Sequence, residues 1–188
     1  MNIIKSQNYL KFTGKDAVSF VDSLISNSVK NDNLFFSYLL KPDGKIINWF
    51  ICESKNDEFY IYQEIENLKN LLQIFTKYKI RIKCELKIIN EQKYFSIDIN
   101  KDSISVEEIS ETSQTTSWKE FELIAQLPSK TILESGLIPN EVIWLDYFVD
   151  FDKGCFMGQE QTSRIKFRGR PRRLLKTLDS KSQVIEKI

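Results

Sequence analysis

Lys153-Gly154-Cys155-Phe156-Met157-Gly158-Gln159-Glu160 brings together the side chains in this chain best suited to chemistry. One cysteine sits in a stretch framed by two glycines. A lysine precedes it by two positions, a carboxylate follows by five, and Arg164 comes soon after. Glycine admits turns with positive φ and close approach of backbone to backbone or ligand, so Cys155 is expected on an irregular loop. Neighbouring cations favour the thiolate, the form that attacks electrophiles and binds metals. A redox or transient persulfide role needs only one such thiol. An iron–sulfur cluster needs about four ligands, so Cys155 could serve only as a transient cluster ligand, with a second chain or a small thiol supplying the rest. The competing reading is a tight turn with a half-buried thiol.

Other candidate groups are few. The chain has no histidine, which excludes Ser-His and Cys-His nucleophile pairs and imidazole acid–base chemistry within it. Cys52 and Cys84 fall on apolar strand faces and read as small buried hydrophobes. No metal is expected to be bound by this chain alone. Between Arg164 and Lys176 there is no acidic residue, while Arg164, Lys166, Arg168, Arg170, Arg172, Arg173 and Lys176 are all basic. Arginine forks suit carboxylates and phosphates. The plain alternative is a solvated face.

K-G-C-[FY]-x-G-Q-E with a following arginine resembles the signature of the YgfZ-type folate-binding proteins, relatives of the glycine-cleavage T-protein. Lys153, Gly154, Cys155, Phe156, Gly158, Gln159, Glu160 and Arg164 all match. Leu10 to Gly44 resembles the family's opening helix and the strand and turn after it. Ile138-Pro139-Asn140-Glu141 resembles its Ile-Pro-x-Glu step. The resemblance covers most of residues 8–178 and is loose between 90 and 120.

This resemblance implies tetrahydrofolate or another folate derivative as cofactor. It also implies a role supporting assembly or repair of iron–sulfur enzymes, and through them transfer-RNA modification. Cys155 would be the working thiol, with Glu160 beside it, and Lys153, Gly154, Gly158, Gln159, Arg164 and Glu141 would hold the cofactor. Glu160 could instead orient the loop by accepting backbone N–H bonds. The basic stretch would suit a polyglutamate-tailed folate. Partners would be iron–sulfur client or assembly proteins, with transfer RNA contacted weakly or indirectly.

Some positions depart from the pattern. Trp49 stands where a carboxylate is usual, which speaks against the first alternative, an aminomethyltransferase-like enzyme using tetrahydrofolate. Glu122 and Gln126 replace an arginine and a glycine, which weighs against folate binding. A second alternative is an RNA-binding module using residues 164–176. The net charge of only +1 opposes it, because backbone binding draws on positive charge. So does the single interleaved aromatic, Phe167. An accessory protein is therefore the expectation ahead of an enzyme.

The elements that must carry these residues follow from pattern. Asp16 and the spacing of Ala17, Phe20, Val21, Leu24 and Ile25 predict a helix. Residues 34–40 predict a strand, Pro42-Asp43-Gly44 a turn, and 45–52 with 58–63 a hairpin through Lys55-Asn56-Asp57. Ile65, Leu68, Leu71, Leu72, Phe75 and Tyr78 share one face of a second helix. Residues 79–89 alternate and predict a half-buried strand, with Ile80, Ile82, Cys84, Leu86 and Ile88 on one face and residues 94–99 as its partner. Residues 100–117 read as a polar loop or weak edge. The mixture predicts an α+β fold with two lobes of antiparallel sheet and flanking helices. The lobes would span residues 1–100 and 101–178, the second carrying the signature, with a tail at 179–188.

Length permits a substantial core, and no apolar run approaches a membrane span. The start of the chain lacks a secretory pattern, and three scattered cysteines fit a reducing compartment, so a cytoplasmic protein without membrane partners is expected. The family's C-terminal barrel would be missing. Leu174, Leu175, Leu178, Val184, Ile185 and Ile188 would then either fold back as a tail or pair two chains as a homodimer through residues 165–188.

Overall fold

The computed structural model describes residues 2–178 and 181–188. Its centre is a five-stranded antiparallel sheet whose strands all have apolar residues to bury. In sheet order these are β3 (Phe35–Leu40), β4 (Ile46–Lys55), β5 (Glu58–Tyr62), β2 (Tyr9–Thr13) and β6 (Glu85–Ile89). Successive side chains of a strand face opposite ways. Phe35, Leu39, Phe50 and Cys52 accordingly enter one core cluster, while Phe36, Tyr38, Trp49 and Ile51 enter another. That explains why every residue of β3 is buried: this sheet is covered on both faces.

The first face is closed by α1 (Ala17–Asp22) and α2 (Ile65–Tyr78), which contribute Phe20, Val21, Leu68, Leu71 and Phe75. The second face receives β1 (Asn2–Ser6), β7 (Lys93–Asn100) and β8 (Ser103–Ile109), an antiparallel sheet in the order β1-β7-β8. It also receives α3 (Trp118–Ile124), α4 (Lys130–Glu134) and α5 (Leu145–Phe148). Phe95, Ile97, Trp118, Phe121, Trp144 and Phe148 therefore share one cluster with Trp49 and Tyr62. Ser117 and Glu120 cap α3 reciprocally, a Ser-x-x-Glu pattern that fixes where that helix starts. Beyond α6 (Gln159–Arg168), β9 (Arg173–Leu178) and β10 (Ser182–Lys187) form an antiparallel hairpin. Among the described residues no helix is long and apolar enough to cross a membrane.

The α+β class with antiparallel sheets stands as the sequence predicts, and so do the Pro42 turn, the hairpin and α2; the first helix forms but ends at Asp22, and Ile25 of its predicted face bridges to Leu39 instead. Asn56 and Asp57 both take positive φ, the two-residue turn that matches strand twist. Two expectations fail. The strand predicted from residue 79 begins only at Glu85, and Ile80 is 74% exposed. Arg81 takes positive φ there, and Lys83 is held as a loop: its N–H donates to the Asp16 carboxylate at 2.8 Å and its carbonyl accepts from the Asp16 N–H. The predicted partner of that strand, residues 94–99, pairs instead with β1 and β8. The intervening residues 90–92 carry the chain from one sheet to the other, and alternation is blind to that choice. The polar stretch after residue 100 supplies an edge strand, β8, as one of its two readings had it.

The C-terminal segment folds back on its own chain. Gln183 accepts a hydrogen bond from the Ser129 N–H and donates to the carbonyls of Glu122 and Leu127, and the Thr177 hydroxyl donates to Leu123. Leu175 is buried in the large cluster. Residues 179 and 180 of the expected tail lie outside the described residues.

Candidate functional site

The signature loop is anchored at both ends before it presents anything. At its start the Lys153 ammonium turns inward, its side chain only 4% exposed. It donates to the carbonyls of Asp22, Ile25 and Asn27 at 2.7, 3.1 and 3.0 Å and meets the Asp22 carboxylate at 3.0 Å. The first of these carbonyls ends α1 and the others lie in the turn just after it, so the lysine satisfies acceptors that the helix cannot. Burial pushes its pKa down while Asp22 pulls it back up. Asp150 supports the same turn by accepting from Ser28 and the Asp152 N–H; the Ser28 bond holds its carboxyl below the usual range.

At its other end, Gly158 takes φ +78° and opens α6. Its Cα lies against the Pro42-Asp43-Gly44 turn so closely that an added Cβ would come within 2.4 Å of the Lys41 carbonyl oxygen. Gly44 reciprocates: a Cβ there would meet the Gln161 side chain at 2.8 Å. Between these anchors Phe156 is buried in the core and Cys155 is exposed. Cys52 and Cys84 are both buried, and burial pushes their thiols up.

Cys155 borders a hollow of about 830 Å³, lined also by Pro42, Gln159, Glu160, Arg164, Phe167 and Arg168. The structure thus brings Cys155, Gly158, Gln159, Glu160 and Arg164 to one place. Glu160 is exposed in the first turn of α6, and among the described residues its side chain holds no backbone N–H. Lys153 points away from this hollow, and Gly154 has open space where a side chain would go.

Glu141 is placed differently. It is 4% exposed and gripped by Arg173, whose Nε and terminal nitrogen donate to its two oxygens at 2.7 and 2.9 Å. The Ile138 N–H adds a third bond. Glu141 and Arg173 lie on the wall of a second hollow, about 1180 Å³, which also shares Arg164 and Arg168 with the first. Thirty-two positions separate the pair, and no local spacing announces it. Among the described residues no group of three or more Cys, Asp or Glu side chains is arranged to hold a metal.

Two of the three departing positions, Trp49 and Glu122, turn out to be neighbours. Trp49 is buried against Trp118 and Phe121, with ring centroids 5.7 and 6.1 Å away. Its indole N–H has no well-aligned partner, yet lies close enough to the half-buried Glu122 carboxyl to favour that group's charge. Burial wins: Glu122 is pushed up to about 8, with Glu64 adding repulsion. The folded-state value lies above the unfolded one, so the folded chain keeps a proton that the unfolded chain has released. Stability should therefore fall as pH rises from about 4.5 through about 8. At about 1.4 kcal/mol per unit, discounted for partial exposure, the loss is about 3 kcal/mol. Glu122→Gln should gain that amount near pH 9 and almost nothing near pH 4, read from urea unfolding at both. Equal stability of the two proteins near pH 9 would contradict this.

No family model and no curated protein matches the chain. Among solved structures it is similar to the glycine cleavage system aminomethyltransferase T from Bartonella henselae, with 13% identity and a TM-score of 0.45. That similarity covers 68% of this chain and 32% of the other, so the chain spans about a third of that structure's length. The α+β assignment rests on the sheets and helices described above.

Proposed function

We propose that this protein is a folate-binding accessory factor of the YgfZ type that supports assembly or repair of iron–sulfur enzymes, with Cys155 as its working thiol. The observation that carries this reading is the exposure of Cys155 alone among three cysteines, on a loop held by Lys153 and Gly158 at the edge of a hollow.

The residues around the hollow suit a folate. Its volume lies within the usual range for small-molecule sites. Phe167 offers an exposed aromatic face, and Arg164 and Arg168 offer forks for glutamate carboxylates. Bound there, folate would supply the one-carbon carrier chemistry of the cofactor. The chain's own part is to orient it beside the thiol. Cys155 would act as a nucleophile or a transient sulfur carrier, and any contact with a cluster would borrow ligands from a client protein.

Two measurements test this. Calorimetric titration with tetrahydrofolate, with and without a polyglutamate tail, should show saturable binding that weakens when Arg164 is replaced by alanine. In cells lacking the native gene, Cys155→Ala should fail to restore iron–sulfur enzyme activity while Cys84→Ala restores it. Full rescue by Cys155→Ala would remove the thiol from the mechanism. Formation of methylene-tetrahydrofolate from an aminomethyl donor would favour the transferase alternative.

A further inference from the structure

The second hollow carries an unbalanced charge, of which the Cys155 reading draws on only two cations, Arg164 and Arg168. Arg164, Arg168, Arg170, Arg172, Arg173 and Lys187 line it, and among the described residues Glu141 is its one acidic side chain. Glu141 is already spent on Arg173. Lysines elsewhere pair repeatedly with carboxylates, as Lys11 does with Glu58, Lys93 with Glu108 and Lys166 with Asp146. Among the described residues Arg164, Arg168, Arg170, Arg172 and Lys187 have no such partner. The chain as a whole is only +1, so this concentration is local.

The backbone also forces like charges together. Arg164 and Arg168 are four apart on α6 and share a face, where equal charges destabilise a helix. Arg173 and Lys187 are directly opposite across β9 and β10, where equal charges destabilise a sheet. The Ile188 N–H donates to the Arg172 carbonyl at 3.0 Å and holds the strand end in place. Glu141 offsets the second contact, but the first stands uncompensated among the described residues, and a local rule broken at a concavity points to a role other than stability.

We propose that this hollow binds a small flexible polyanion carrying several carboxylate or phosphate groups on one chain. Guanidinium forks pair with both groups, often bidentately, and an anion would relieve the Arg164–Arg168 contact, which no carboxylate offsets among the described residues. A small ligand fits better than a nucleic-acid strand: apart from Ile138, Ile165, Pro171 and Ile188 the wall is polar, with no aromatic ring on which bases could stack.

The test uses no folate, so its failure is distinguishable from failure of the Cys155 reading. The full chain is titrated by calorimetry at low salt with tripolyphosphate, with triglutamate and with single-stranded oligouridine. Saturable binding of tripolyphosphate, of triglutamate or of both is expected, and the tighter one assigns phosphate or carboxylate. Affinity should fall with added salt and drop at least about tenfold when Arg168 and Arg172 are both replaced by alanine. Replacing both by lysine should lose less, because charge remains while the fork is gone. Lys69→Ala with Lys87→Ala, remote from the hollow, should leave binding unchanged. Absence of binding by either small anion, or binding indifferent to the two arginines, would overturn the proposal. So would tighter binding of oligouridine than of either small anion.

Discussion

Gly158→Ala is expected to destabilise the protein by about 4 kcal/mol, because this residue anchors the signature loop. Its φ of +78° already costs a residue with a Cβ about 1–2 kcal/mol. The new Cβ would also lie 2.4 Å from the Lys41 carbonyl oxygen and 2.8 Å from the Leu40 Cβ. Neither atom is the free end of a flexible side chain, so relief requires the Pro42 turn and α6 to separate. Overpacking of that kind adds about 1–3 kcal/mol. Gly154→Ala is the internal comparison, because a Cβ there meets nothing within 4 Å. It should stay within about 0.5 kcal/mol of the unsubstituted protein. Urea-unfolding midpoints would measure both. Similar stability for the two variants would show that the loop yields at Gly158. A functional defect in Gly154→Ala without loss of stability would place Gly154 against a ligand.

Local chemistry made much of this fold legible. Pro42-Asp43-Gly44, Asn56-Asp57 and the three-and-four spacing of Leu68, Leu71 and Phe75 each act through their immediate neighbours, and each forms as read. What stayed hidden depends on contacts between distant segments. Alternation over residues 79–89 cannot show that Asp16 captures Lys83 and delays the start of the strand to Glu85. Nor can it show that residues 94–99 leave for another sheet. The same division runs through the site. Gln159, Glu160 and Arg164 gather beside Cys155 because α6, capped by Gly158, carries them together just after the loop that presents the thiol. Lys153 sits in the same motif, yet its partners are 126 to 131 positions away in sequence, at the end of α1. A lysine two residues from a cysteine reads as its electrostatic neighbour; here it is the peg that fixes the loop. Glu122 and Trp49 were visible singly as departures, but only the sheet's second face shows that they meet.

Arg173→Ala should cost about 3 kcal/mol, and the reason lies in its partner. Glu141 has a side chain 5% exposed, and two of its three hydrogen bonds come from Arg173. Removing the arginine leaves a buried carboxylate with the Ile138 N–H alone, and breaking a buried pair from one side typically costs about 3–5 kcal/mol. The low end applies because the Arg173 side chain is 35% exposed and water can enter where it stood. The Gly136 carbonyl, which Arg173 also reaches at 3.3 Å, loses that donor as well. Glu141→Leu combined with Arg173→Met should recover most of the loss, since replacing both partners by apolar groups of similar size is often near neutral. A double-mutant cycle on unfolding free energies separates the pair's coupling from packing at either site. Were Glu141 held for a ligand, the double variant would be stable but would bind less; were the pair purely structural, binding in both hollows would survive it. Arg173→Ala alone at full stability would mean that the Glu141 carboxylate finds another donor, and the pair would no longer explain why that carboxylate is buried.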